Sequence, residues 1–273
     1  MALTPEVSEA AVGDKYRSHI YGEGEKNTKW RFGAPPNYDI ANKLFEEGRT
    51  KEWPKGSVEE MVQHLVKTWE MEIFHKVKLE DYKTVNPQKY TLSLNGILEF
   101  PFFLVIKKQL SFLFLNHNHN AGGPARSLEE LVKLGGYNVL LQTSLPQSLR
   151  GYDPAVETVE SSHKAFTTTF PRGFALEIFQ VYSGPPVITY KFRHWAFMEG
   201  PFKGHAPTGE MVQFFGVGIF QVDQDMKIEK VEFFYDPGEL IGSLLKGPTI
   251  AAADSSQTPG NPSLSCPFLN KQF

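Results

Sequence analysis

The sequence predicts an α+β domain in which helices come first and a strongly curved antiparallel sheet follows. Three observations carry this. Between Ser57 and Phe170, apolar residues recur at helical spacing behind capping residues. From Phe174 to Asp236 the pattern switches to four alternating runs. Within the two pairs, the runs are joined by Gly184-Pro185-Pro186 and by Gln224-Asp225-Met226, both short enough for hairpins.

Residues 1–56 are polar and punctuated by Gly and Pro, with Trp30, Phe32, Tyr38 and Trp53 scattered without period. They predict an extended arm whose aromatics dock on the body, with a helical piece at 38–47. Ser57, with Glu60 three residues on, opens a helix whose stripe is Val58, Met61, Val62, Leu65, Val66, Trp69 and Ile73. Glu72 falls at the edge of that stripe, so it faces solvent at the helix margin, the commoner case, or a cavity. His75 lies off the stripe and is expected at the surface. A short strand is expected at 89–95. Ser127 with Glu130 opens a second helix reaching 142, and a third spans 155–169, ending before Pro171. The strands are 174–183, 187–198, 210–223 and 227–236, with a closing helix at 237–245. The domain therefore spans 57–245, and the Pro-, Ser- and Ala-rich tail at 246–273 is expected to be disordered.

Composition narrows the function. The chain has 273 residues, and a net charge of −3 gives no basic bias toward nucleic acid. A single cysteine, Cys266, excludes an intrachain disulfide framework, and the N-terminal residues lack a signal-peptide pattern, so a cytoplasmic location is expected. Aromatics at 13% fit a large sheet core or an aromatic-lined cavity. Segment 97–122 breaks the style of the chain, being Phe/Leu-rich and then Asn/His-rich. Pro101, Lys107 and Lys108 interrupt it, so no membrane span is expected. His117 and His119 lack a third ligand, so neither a metal nor a cofactor is expected.

Side chains alternate across a strand. Ile188, Tyr190, Phe192, His194, Ala196 and Met198 share the inward face, while Arg193, Trp195 and Phe197 share the outward one. Val231, Phe233 and Tyr235 also face inward. The inward polar set is thus His194, Tyr190, Tyr235 and, across from them, Glu72. A histidine and a carboxylate on facing elements could move protons; the alternative is a core histidine hydrogen-bonded to a tyrosine. The candidate binding residues are Trp69, Glu72, Tyr190, Phe192, His194, Met198, Phe233 and Tyr235. Arg193, Trp195 and Phe197 offer an outer face for a homodimer or a scaffold.

Four marks carry a resemblance: Phe170-Pro171 before the first long strand, the turn from Gly200 to Gly204, Pro207-Thr208-Gly209, and Ile228 with Asp236 before the closing helix. Together they resemble the SnoaL-like branch of the NTF2-like superfamily. That resemblance implies a cone of curved antiparallel sheet closed by helices. Residues 13–57 and 65–76 are similar to the plant family of pathogen-related proteins, and the likeness covers about 13–96 and 126–245. SnoaL-like cyclases place an acid–base histidine and aspartate at positions that fall here on Met198 and Phe233. Both are apolar, so the resemblance implies a defence-associated pocket for a small apolar metabolite, without cyclase chemistry. The alternatives are an isomerase or cyclase using His194, with Glu72, and a dimeric scaffold. Segment 97–122 lies outside the resemblance; its composition, ending in Ala121-Gly122, fits a translated intron better than a true insertion.

Overall fold

The computed structural model describes residues 13–96 and 125–250. The expected insertion at 97–122 with His117 and His119, and the tail beyond 250 with Cys266, lie outside the described residues. Residues 246–250 of the expected tail are described and pair with the 202–206 turn, where Ile250 N–H donates to Gly204 O at 2.7 Å.

Six strands form one sheet in the order β2-β1-β6-β5-β4-β3. They are β1 (Thr91–Leu94), β2 (Arg126–Ser127), β3 (Ala175–Ser183), β4 (Val187–Phe197), β5 (Met211–Val222) and β6 (Ile228–Phe234). The helices are α1 (Asp39–Gly48), α2 (Val58–His75), α3 (Leu128–Leu134), α4 (Gly136–Leu140), α5 (Val159–Thr169) and α6 (Pro237–Leu244). The α+β architecture and the curved, unclosed sheet match the expectation. Register shifts in β3 at Ile178/Gln180 and Val181/Ser183 bend that edge strand. The sheet is mixed, however. β1 runs parallel to β6, with Leu92 beside Val231, and only β2 through β1 and β6 through β3 are antiparallel neighbours.

The expected helix at 127–142 is two helices. Ser127 and Glu130 form the capping box, but Gly135 at φ 86 ends α3, and Gly136 lets Phe74 approach where a Cβ would lie 2.7 Å from its ring. The third helix begins at Val159, because Thr158 and Ser161 cap it there.

α2 packs its stripe against the inner sheet face. Gln63 caps the β3 edge, accepting from Ile178 N–H at 2.7 Å and donating to Leu176 O at 3.3 Å. On the outer face, α1 covers Trp195, which stacks on Phe45 at 6.2 Å and is 0% exposed. Arg193 donates to Gly48 O beneath it. The outer-face surface expected around Trp195 is therefore covered by the chain's own N-terminal segment, a contact that strand alternation cannot reveal.

Candidate functional site

A cavity of about 240 Å³ lies between α2, the N-terminal segment, α4–α5 and the inner faces of β3–β6. Its walls are mainly aromatic. Phe192, Phe214, Phe233 and Tyr235 meet at centroid separations of 5.2–6.3 Å, with Trp69 of α2 at 5.5 Å from Phe233. Two glycines of β5 make room for the large rings of β4. A Cβ at Gly216 would stand 2.4 Å from Phe192, and one at Gly218 would stand 2.5 Å from the Tyr190 ring. The ring contacts that line the cavity therefore require glycine at both positions.

The polar end of the cavity is small. Glu70 Oε1 lies 3.8 Å from His194 Nε2, with side-chain exposures of 22% and 13%. Burial holds the His194 imidazole down to about 3, aided by the nearby Lys67 and opposed by the Ala175 backbone. The ring is therefore neutral near pH 7, and the contact with Glu70 is not an ion pair. Burial also pushes the Glu70 carboxyl up, against the pull of Arg17 and Lys67. Burial pulls the Lys67 ammonium well down; it sits 3.4 Å from the Phe45 ring centroid. His194 Nδ1 and the Tyr190 hydroxyl are buried without a hydrogen-bond partner among the described residues.

The N-terminal segment shapes the cavity mouth. Phe32 stacks on His163 at 3.8 Å and meets His75 edge-on at 5.8 Å. Tyr38 meets His75 at 6.0 Å, and Arg17 lies 3.6 Å over the Tyr38 ring. Burial, with the charge of nearby Arg31 adding to it, lowers both His75, to about 3, and His163. His75 is thus not the surface histidine that its position off the stripe suggests.

Of the residues singled out from sequence, Trp69, Tyr190, Phe192, His194, Phe233 and Tyr235 line this cavity, whereas Glu72 and Met198 do not. Glu72 is neither at the margin nor in the cavity. It is 0% exposed and accepts from Lys76 Nζ at 3.0 Å, Lys83 N–H at 2.7 Å and Thr84 N–H at 2.9 Å. Lys76 is in turn held by Glu25 at 3.0 Å and Asp81 O at 2.9 Å. This network locks the end of α2 to the N-terminal segment, so Glu72 is a structural carboxylate. The Met198 side chain is packed in the core beside the 198–209 turn, where Met198 O accepts from Gly209 N–H at 2.8 Å. The carboxylate facing His194 is Glu70 instead. Its signal was present, since Val66, Glu70 and Phe74 recur four apart and all reach the cavity. His75, His163 and Tyr38 carried no such signal, because the arm brings them together.

No family model matches the chain. It is 53% identical over 245 residues to a pathogen-related protein of Hordeum vulgare, covering 89% of this chain and 93% of that protein. Among solved structures it is similar to a protein assigned as a SnoaL-like polyketide cyclase from Jannaschia sp. CCS1, at 14% identity and a TM-score of 0.31, covering 77% of this chain and 92% of that one. It is also similar to a protein assigned as a polyketide cyclase from Acidithiobacillus ferrooxidans, at 11% identity and a TM-score of 0.36, covering 72% and 100%. Likenesses at these TM-scores assign neither a reaction nor a substrate.

Proposed function

The chain belongs to the pathogen-related protein family, and from that premise we propose that it is an intracellular plant defence protein whose cavity binds a small apolar metabolite. One observation carries this reading. An aromatic cavity of about 240 Å³ ends in the Glu70 carboxyl and the His194 imidazole, 3.8 Å apart and both partly open to the cavity. Small-molecule sites are mostly apolar with a few polar groups that fix the ligand's orientation, and a partly open carboxyl and imidazole at the end of an aromatic cavity fit that role. By the resemblance, the positions at which cyclases keep their proton-transfer residues fall at Met198 and near Phe233, and neither of these side chains can move a proton.

Thermal-shift screening against plant isoprenoids and phenolics, with mass spectrometry of co-purified small molecules, tests the proposal. Stabilisation by members of one chemical class supports it. A broad panel that stabilises nothing, with no co-purified molecule, counts decisively against it.

A second reading rests on the Glu70–His194 contact. A neutral imidazole facing a carboxyl whose affinity for its proton is raised is an acid–base couple for isomerisation of a bound ligand. Under that reading His194→Gln abolishes turnover, and a variant as active as the wild type removes it.

A further inference from the structure

The cavity also carries information about the charge of what it holds. Among the described residues, no lysine or arginine lines it. The titratable side chains that line it among the described residues are Glu70, three histidines and four tyrosines. Burial disfavours the charged form of each: His75, His163 and His194 are lowered, while Glu70, Tyr38, Tyr137, Tyr190 and Tyr235 are raised. Two cations outside the lining, Arg17 and Lys67, act on Glu70 through their charge, and each is held by other groups, although Arg17 Nε is buried without a partner among the described residues. Arg17 lies 3.5 Å from Asp14, donates to Asn42 at 2.8 Å and stacks on Tyr38. Lys67 is packed over Phe45 and Tyr16. An anion in the cavity would give up hydration without direct contact to a cation of the described wall, and an ionised Glu70 would repel it as well.

The 3.8 Å gap between Glu70 Oε1 and His194 Nε2 is too long for a direct hydrogen bond. A single ligand oxygen placed beside both atoms can be within hydrogen-bonding distance of each. A hydroxyl there donates to one and accepts from the other, and a carbonyl accepts from whichever carries the proton.

Resting on the pocket reading above, we propose that the ligand is uncharged, with an apolar body and one hydroxyl or carbonyl head seated between Glu70 and His194, and that the cavity rejects the carboxylate of the same skeleton. The pocket thus selects an alcohol, aldehyde or ketone over the corresponding acid.

Calorimetric titration of the full chain at pH 7.5 with three matched probes tests this: cinnamyl alcohol, cinnamate and trans-β-methylstyrene. The alcohol is expected to bind at least about tenfold more tightly than either the carboxylate or the hydrocarbon. In Glu70→Leu, checked for folding by circular dichroism, the ratio of alcohol to hydrocarbon affinity is expected to fall toward one. A carboxylate that binds as well as the alcohol overturns the neutral-ligand inference, and a hydrocarbon that matches the alcohol overturns the seated head. In both cases the pocket reading survives. If none of the three binds, this inference is overturned, while the pocket reading stands or falls on the broader isoprenoid and phenolic panel.

Discussion

Tyr190 offers a test that reads the cavity wall through stability. Its side chain is 0% exposed and its hydroxyl is buried without a partner. The ring is held by Phe220 at 5.4 Å, Phe192 at 6.3 Å and the bare face of Gly218. Tyr190→Phe keeps those contacts and removes only the unsatisfied oxygen. Leaving a buried hydroxyl unpaired costs about 1–3 kcal/mol, and the void left by one oxygen returns only a few tenths. The substitution should therefore stabilise the protein by about 1–2 kcal/mol, which raises Tm by roughly 2–8 °C for a domain of this size. Scanning calorimetry of wild type and variant, both stripped of small molecules by gel filtration in mild denaturant and refolding, reads the shift. A Tm equal to or below wild type would show that the hydroxyl has a partner after all and would refute the orphan assignment. A stabilising change in a cavity wall is the pattern expected where a site is kept for binding instead of for stability.

Three further outcomes follow from the same structure. Glu72→Leu leaves the fully buried Lys76 with Glu25 as its one carboxylate partner beside the Asp81 carbonyl, and strips the acceptor from Lys83 and Thr84 N–H, so urea unfolding should show a loss of about 3–5 kcal/mol; a variant of wild-type stability would return Glu72 to the candidate site. His75 and His194, each held down to about 3 in the folded chain, take up protons on unfolding between about pH 6.5 and 3. Stability should therefore be level above 6.5 and fall with acidification through that window by about 1.4 kcal/mol per pH unit for each histidine. The raised Glu70 works in the opposite direction, so His194→Phe should flatten the profile by about one proton, and an unchanged slope would contradict the buried neutral ring. Finally, Leu92 pairs with Arg126 and Thr91 with Ser127, so the chain leaves and re-enters the sheet on adjacent antiparallel strands. Asn95 and Gly96, at φ 54 and φ 52, already have the left-handed backbone of a tight hairpin turn. Deleting 97–122, which joins Gly96 to Gly123, should give a folded protein with an undiminished Tm, and transcripts lacking those codons should predominate; loss of folding on deletion would make the segment a genuine part of the domain.

Local patterning was sufficient for much of this molecule. Alternation placed Tyr190, Phe192, His194 and Phe233 on one face because a strand has a period of two wherever it lies. Capping residues set the start of α2 and α3 for similarly local reasons. Three matters were decided only by tertiary structure. A residue at the edge of a helical stripe can meet solvent, a cavity or a polar network, and which of these Glu72 meets depends on residues 25 and 81–84 folding over the end of α2. Likewise Glu70 becomes the partner of His194 only when α2 crosses the sheet at this angle and depth. Outward alternation on β4 exposes Trp195 only if nothing covers it, and α1 does. Periodicity reports which way a side chain points relative to its own backbone. What lies opposite is set by contacts between segments far apart in the chain, and the candidate site is made almost wholly of those.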